Sequence, residues 1–540
     1  MKKVLIGISV ILIVALAGIG IFVATFDIAP YKGFIISRLE RMTGNKVEIG
    51  RLSLKWKNGI LLGVEDFKMY TKPVGNRTAS LTFDSANALV EPAALLMRRV
   101  PISSLDIYNG TIRFQDMATE PASDITIRKI EAKINNISDA GAMRFTVKMA
   151  PVSADQNMLL SGTAGGFVSG SPFIRDCDIK ADLAAIDHNE LEKAFPVLQK
   201  LGLAPGLAGE LAVKIRELEF SKGKISKLSA DISLSRGKIV IVSLKAPVDN
   251  INLSVSAEGN SATVNSFSAE LAEGSLTLSG KSDDIFVLPK TTFRAAVEVR
   301  GVKSFISKVL ARKQNMDGNM RLTFDGSMSG LSWPDISKTL SGGGEFYLDR
   351  GVVMNTNILN QTLGSLTLFP GLSDMARGYV PEPIQQAFAN NDTVIEPLRQ
   401  SYTIEEGYVM MPNLDLRTDT FDLRGEAKSS LTGDISGSGV IRFAQDVSAA
   451  MLKAAPEMKY ITDSQGIVEF PLSFKIGENG FKAIPDMKYI GTKVAVQKAG
   501  DAVAGFIQKA SESSADPGSA GISSGKFPKL KDLIKGLKDQ

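Results

Sequence analysis

The chain has 540 residues, of which 44% are hydrophobic and 22% charged, a balance that excludes both a disordered chain and a polytopic membrane protein and leaves room for several domains. Lys and Arg total 62 against 58 Asp and Glu, a net charge of +4; without a strong basic stripe, no nucleic-acid partner is expected. One cysteine, Cys177, rules out an internal disulfide, and 49 glycines with no collagen period point to many tight turns.

Lys2 and Lys3 precede an uncharged run over residues 4–24, which as a helix covers roughly 30 Å, the hydrocarbon thickness of a bilayer. Residues 1–26 are therefore read as a transmembrane anchor, and the basic residues before it place the rest of the chain outside the cytoplasm. Ala15-Leu16-Ala17 offers a formal cleavage site for a signal peptide, but the apolar run continues through Ile21, Phe22 and Val23, past the point where a cleaved segment should stop.

A first β region is expected over 27–186. It opens with a short amphipathic helix: Pro30 suits its first turn, Gly44 its stop, and Tyr31, Phe34, Ile35, Leu39 and Met42 form one stripe. From Lys46 the period changes to two. Leu52, Leu54 and Trp56 alternate with Arg51, Ser53, Lys55 and Lys57, and Ile125 and Ile127 repeat the pattern. In a middle region over 187–340 the alternating apolar positions are Ile251, Leu253 and Val255, then Leu276 and Leu278, then Leu322 and Phe324. In a third region over 341–493 they are Phe346 and Leu348, Leu414 and Leu416, and Phe470, Leu472 and Phe474. Alternation of this kind makes sheets with one apolar face, and breaks every ten residues or so at Gly, Asn and Asp predict antiparallel strands on short turns.

A longer unit recurs: a helix, a loop, a glycine, then an alternating strand. Helices are expected at 189–201, 304–312 and 448–453, followed by strands beginning at Gly209, Gly318 and Gly466. The unequal spacing assigns an insertion to 355–400, with helical stretches at 358–368 and 383–389. Repetition favours an elongated array over one compact core. The remainder, 494–540, reads as a helix at 494–510, a Ser/Gly/Ala linker at 511–525 and a basic amphipathic helix. In that last helix Phe527, Leu530, Leu533, Ile534 and Leu537 form the apolar stripe, suited to docking on an anionic membrane or in a partner groove, or fraying in solvent.

Catalytic signatures are nearly absent. The one histidine, His188, sits near a helix start, and Cys177 sits in a strand expected at 174–179, where it reads as a small core residue. One His and one Cys fall short of the usual zinc ligand set. Gly521-Ile522-Ser523-Ser524-Gly525 matches a nucleophile elbow in letters only, because it lies in the linker rather than between a strand and a helix. Gly280-Lys281-Ser282 lacks the earlier glycine of a phosphate-binding loop, having Ser275 there. No metal, cofactor or enzymatic activity is expected.

One-sided sheets in series must cover their apolar faces, either with a second layer or, if the sheet curves into a trough, with a ligand. Periodicity alone fits both. Outside the cytoplasm the ligand suited to a long apolar trough is a lipid acyl chain, since each CH₂ moved out of water gains about 0.8 kcal/mol.

Short motifs narrow this choice. Residues 27–70 carry Pro30-Tyr31-Lys32, Thr43-Gly44-Asn45-Lys46-Val47 and Leu61-Leu62-Gly63-Val64-Glu65-Asp66-Phe67; later come Leu340-Ser341-Gly342-Gly343-Gly344-Glu345-Phe346, Asp349-Arg350-Gly351-Val352-Val353, Glu406-Gly407-Tyr408-Val409 and Leu423-Arg424-Gly425-Glu426-Ala427. With the N-terminal run, these resemble the AsmA-like proteins at both ends of the β region. The resemblance implies an inner-membrane-anchored periplasmic protein whose curved antiparallel β groove helps phospholipid move toward the outer membrane. The groove candidates are then Ile251, Leu253, Val255, Leu276, Leu278, Leu322, Phe324, Phe346, Leu348, Phe470, Leu472 and Phe474. About 25 strands at ~4.8 Å spacing would make a sheet about 120 Å long. A structural or assembly factor acting through an outer-membrane or envelope protein partner is the alternative.

Overall fold

A computed structural model describes residues 28–513 except for 57–59, 74–75, 91–101, 118–121, 138–141, 167–169, 196–202, 222–223, 243, 311–314, 331, 432–434 and 478–479. The expected anchor and the expected basic helix, with Phe527, Leu530, Leu533, Ile534 and Leu537, lie outside the described residues. Among those described, no helix is long and apolar enough to cross a membrane.

The protein is mainly β: one curved, open, antiparallel sheet of 23 strands with few helices. The strands are β1 (Lys46–Trp56), β2 (Ile60–Tyr70), β3 (Arg77–Val90), β4 (Ile102–Asp116), β5 (Ser123–Asn135), β6 (Met143–Pro151), β7 (Met158–Gly165), β8 (Phe173–Asp182), β9 (Leu203–Ser221), β10 (Lys224–Ile241), β11 (Val248–Glu258) and β12 (Ser261–Leu271). They continue as β13 (Gly274–Asp283), β14 (Lys290–Val299), β15 (Met316–Ser329), β16 (Ser341–Val353), β17 (Thr393–Ile395), β18 (Leu398–Glu405), β19 (Tyr408–Arg417), β20 (Phe421–Ser430), β21 (Ile435–Phe443), β22 (Glu469–Gly477) and β23 (Gly480–Pro485). Each pairs with its neighbour in sequence, except that β17 and β18 lie end to end against β16. Pairing is unbroken across 186–187 and 340–341, through β8 with β9 and β15 with β16.

The helices among the described residues are α1 (Tyr31–Thr43), α2 (His188–Ala194), α3 (Val302–Leu310), α4 (Trp333–Thr339), α5 (Ile358–Gly364), α6 (Leu372–Arg377), α7 (Glu382–Ala389), α8 (Gln445–Ala454) and α9 (Met487–Ser513). Gly44 ends α1 as expected: it is left-handed, and its N–H donates to Glu40 O at 2.8 Å.

Curvature has a local cause. Asn109, Lys129, Asp176, Arg236 and Asn250 sit at positive φ within strands, each at a break in cross-strand register. An extra residue in one strand of a pair bends that strand and increases its twist. Four of these bulges fall on adjacent strands, β4 with β5 and β10 with β11, so their bends add.

A meander sends alternate connections to opposite rims. On one rim, called here the strap rim, lie the connections carrying α2, α3, the α5–α7 group and α8, and α9 departs from the same side. The other, the turn rim, carries the described tight turns between β11 and β12, β13 and β14, and β18 and β19, together with α4. Repeat helices expected at 189–201, 304–312 and 448–453 correspond to α2, α3 and α8. Of these, α2 and α3 tie several strands together at the strap rim. For α2, Ser123 Oγ of β5 donates to Ala194 O at 2.6 Å, Arg128 pairs with Glu190 at 2.9 Å, and Asp187 N–H reaches Val152 O, beyond β6, at 2.8 Å. For α3, Val309 O accepts from Lys245 N–H between β10 and β11, Lys308 pairs with Glu273 between β12 and β13, and Asp317 of β15 accepts from Lys303 N–H. Gly209 and Gly318, at φ 131° and 137°, each follow one of these helices at a close backbone crossing where a Cβ would meet Gly237 Cα or Asp349 O at 2.9 Å.

Candidate functional site: an apolar row across the sheet

Directly paired residues in a sheet point to the same face, so the register traces which side chains share a surface. From β1 to β6 the pairing runs Leu52–Val64–Ala86–Ile107–Ala132–Val147. It continues from β7 to β12 as Leu160–Ile179–Val213–Ile232–Val255–Val264. Every member is apolar. A parallel row runs Leu253–Phe267–Leu278–Ala295–Phe324–Gly344–Tyr402 from β11 to β18. Val297, Leu322 and Phe346 are linked in the same way, with Leu276 beside Val297. At the far end Leu414, Gly425, Gly439 and Leu472 share that face, reached from Tyr402 through Ile404, Val409 and Met411.

All twelve sequence-derived groove candidates therefore lie on one face of one sheet. They do not share one environment. Leu253, Val255, Leu276, Leu278, Leu322 and Phe346 are half-buried; Ile251, Phe324 and Leu348 are buried; Phe470, Leu472 and Phe474 are buried in a closed core.

That closed core is the C-terminal end. Helices α5 to α9 fold over the apolar face of β19–β23. Phe421, Phe443, Phe470, Leu363, Met451 and Met458 are among its fully buried side chains. Tyr460 OH and Lys459 Nζ both bind Asp501, at 2.8 and 2.9 Å, and fasten α9 down. The opposite end is covered too. Helix α1 lies along β1–β3, with Ile28 and Tyr31 against Ile60, Leu62 and Val90, and Leu39 against Val47, Ile49 and Phe67. Because Ile60 and Val90 flank turn-rim connections while Val47 opens β1 at the strap rim, α1 runs from the turn rim down to the strap rim.

Between these covers, from β4 to β14, the apolar face is largely half-buried. In β6 Phe145, Val147 and Met149 are half-buried while Arg144, Thr146 and Lys148 on the other face are exposed. A tightly packed second layer would bury such positions fully. At ~4.8 Å per strand the open stretch is roughly 50 Å long. It ends at an aromatic stack. The Phe324 ring lies 5.5 Å from Phe293 and 6.3 Å from Tyr402, centroid to centroid, over Gly326 and Gly342, which leave room for it. Tyr402 OH donates to Thr323 O at 2.7 Å, and burial pushes its pKa up to about 12.

The opposite face is polar and internally paired. Arg216 binds Asp231 and Glu258, Arg175 binds Glu217 and Glu219, Arg294 binds Asp325, and Arg399 binds Glu345. The Ser229 hydroxyl and Arg216 hold the Glu258 carboxyl below its usual range, and Arg113 does the same for Asp124.

Chemistry-bearing residues do not converge. His188 opens α2 with Nε2 3.3 Å from Glu192, and Cys177 is a buried thiol in β8 whose pKa burial raises. Among the described residues no three His, Cys, Asp or Glu are placed to hold a metal.

Sequence reasoning missed Phe267, Phe293 and Tyr402 as members of the face, although each lies in an alternating run. No family model, curated protein or solved structure matches the chain.

Proposed function

We propose that the half-buried apolar face of β4–β14 is a groove for phospholipid acyl chains, and that the protein, held in the inner membrane through residues 4–24, uses it in the periplasm to help phospholipid toward the outer membrane. The observation that carries this reading is an apolar row continuous through the paired strands that, among the described residues, helices cover at its two ends and touch between them only at the strap rim, where Phe305 of α3 lies over Gly274. Acyl chains laid along it would leave water at about 0.8 kcal/mol per CH₂, while head groups stay hydrated at a rim. Carrying lipid in this way needs no catalytic residue. The AsmA-like motifs and the basic residues before the apolar N-terminal run support the location.

The test is to solubilise the full chain gently and quantify co-purifying phospholipid by mass spectrometry. Bound phospholipid, lost when Leu253 and Leu278 are both replaced by Asp while the protein stays folded, is expected. A lipid-free chain whose face instead crosslinks to another envelope protein would overturn the proposal in favour of an assembly factor.

A further inference from the structure

We propose that the β13–β14 turn is a membrane-inserting tip, and that the groove exchanges lipid with a bilayer surface across the turn rim beside it. This rests on the reading of the open face as an acyl-chain groove and adds where its contents enter or leave.

Three independent features converge on that place. The first is closure elsewhere. Along the sheet the path is covered by α1 at one end, and at the other by the Phe293–Phe324–Tyr402 stack and the helical core behind it. Across the sheet, α2 and α3 strap the rim to which β5–β9 and β10–β15 send their long connections. On the turn rim, the described β11–β12 and β13–β14 connections are tight turns.

The second is the tip itself. Phe286, Val287 and Leu288 are 52%, 82% and 52% exposed and follow one another without a charge. The neighbouring β11–β12 turn on the same rim is Glu258-Gly259-Asn260-Ser261, wholly hydrophilic. Asn260 also anchors the tip: its carbonyl accepts from Ile285 N–H at 3.2 Å, its Oδ1 accepts from Phe286 N–H at 3.4 Å, and its Nδ2 donates to Asp284 at 3.0 Å. Val287 N–H closes the turn on Asp284 O at 3.0 Å. Asp283 is held by Ser261 and Lys281 at 2.6 and 3.1 Å. With the acidic groups at its base engaged and its backbone pinned, the turn presents three apolar side chains on a fixed frame.

The third is size and position. A specific protein interface buries about 800 Å² on each partner, more than three side chains on one turn can supply. Insertion into the interfacial region of a bilayer asks only for a protruding apolar tip over polar flanks. Ile28, four residues past the run expected to span the membrane, also lies at this rim, against Ile60 and Val90.

The experiment uses the full chain held in amphipol, so that no bilayer is present before vesicles are added. Cys177 is buried, so a thiol-reactive, polarity-sensitive fluorophore reports on an introduced cysteine. It is placed at Val287→Cys and, as a control of similar exposure on the strap rim, at Val242→Cys. On adding phosphatidylethanolamine–phosphatidylglycerol vesicles, a blue shift with about a twofold intensity rise is expected at 287 and none at 242. The double variant Phe286→Ser, Val287→Asp should slow transfer of a fluorescent phospholipid to the vesicles about tenfold at an unchanged melting temperature. A silent probe at 287, or an equal response at 242, overturns the tip. If a photocrosslinker at Leu278 still captures phospholipid in that case, the groove stands without it; if Leu278 captures none, the groove reading falls and takes the tip with it.

Discussion

The sheet carries the same apolar face from end to end, yet its middle and its C-terminal end treat that face differently. In β19–β23 the chain covers it with its own helices, and Phe443, Phe470 and Met451 are as buried as any globular core. In β4–β14 no comparable helical core lies on the same face among the described residues, and Val147, Leu160 and Val213 remain half-buried. The difference lies in the connections. The strap-rim connections after β16 and β21 return helices over the face; those after β6 and β12 are short, and those after β8 and β14 carry helices that bind at the rim. Where the returning helices lie over the face, as α5–α8 do, the sheet becomes a core; where they bind at the rim, as α2 and α3 do after β8 and β14, it stays a trough.

The sharpest way to break this comparison is to truncate one side chain in each region. Phe470→Ala should lower stability by about 3–5 kcal/mol, because it leaves a cavity that α8 and the strands cannot close. Leu278→Ala should cost about 1 kcal/mol or less, since a half-exposed side chain has less to lose. Denaturant unfolding of both variants checks this; equal costs would mean the middle is as sealed as the end.

A second effect, of about 2 kcal/mol or more, is expected for Gly318→Ala, which forces a side chain onto φ 137° against Asp349 O. The matching change Gly209→Ala should behave alike if the two strap-helix units are the same device.

At the aromatic stack, Tyr402→Phe should cost about 1 kcal/mol by removing the hydrogen bond its hydroxyl donates to Thr323 O. The pH dependence has a definite sign. The folded pKa is about 12 against 10 for a free tyrosine, so above pH 10 the unfolded chain loses this proton first. Relative to Tyr402→Phe, the wild type therefore loses stability as pH rises from 10 toward 12 and shows no difference in slope below 10. Paired chemical melts across that range read it directly.

The smallest effect belongs to the polar face. Arg216→Ala breaks pairs with Asp231 and Glu258 that are both largely exposed, so its unfolding midpoint should move little and should converge with wild type in high salt.

Much of the fold is legible in the sequence because a sheet of this kind is written in period two. Leu276 and Leu278, or Leu322 and Phe324, announce a strand and its face without help from distant residues. Some helix boundaries are equally legible: Gly44 stops α1, and α7 and α8 start within a few residues of the expected positions. Helix α4 also had a signal, Ser332 capping Asp335 N–H with Pro334 in the first turn. What period two cannot encode is what lies opposite a face. Phe470 and Leu278 belong to identical patterns, and only the helices returning from 358–389 and 445–454 separate a core residue from an open one. Register is the other illegible part: bulges at Asn109 or Asn250 shift the pairing by a residue, and nothing in a single strand announces the shift.

The most direct test places a photoreactive amino acid at Leu278 and, separately, at Phe470, and identifies the adducts formed in cells by mass spectrometry. Phospholipid captured at Leu278 and only the chain's own helices captured at Phe470 is the expected result. Protein captured at Leu278, from this chain or another, with no phospholipid, would contradict the claim that acyl chains cover the open face.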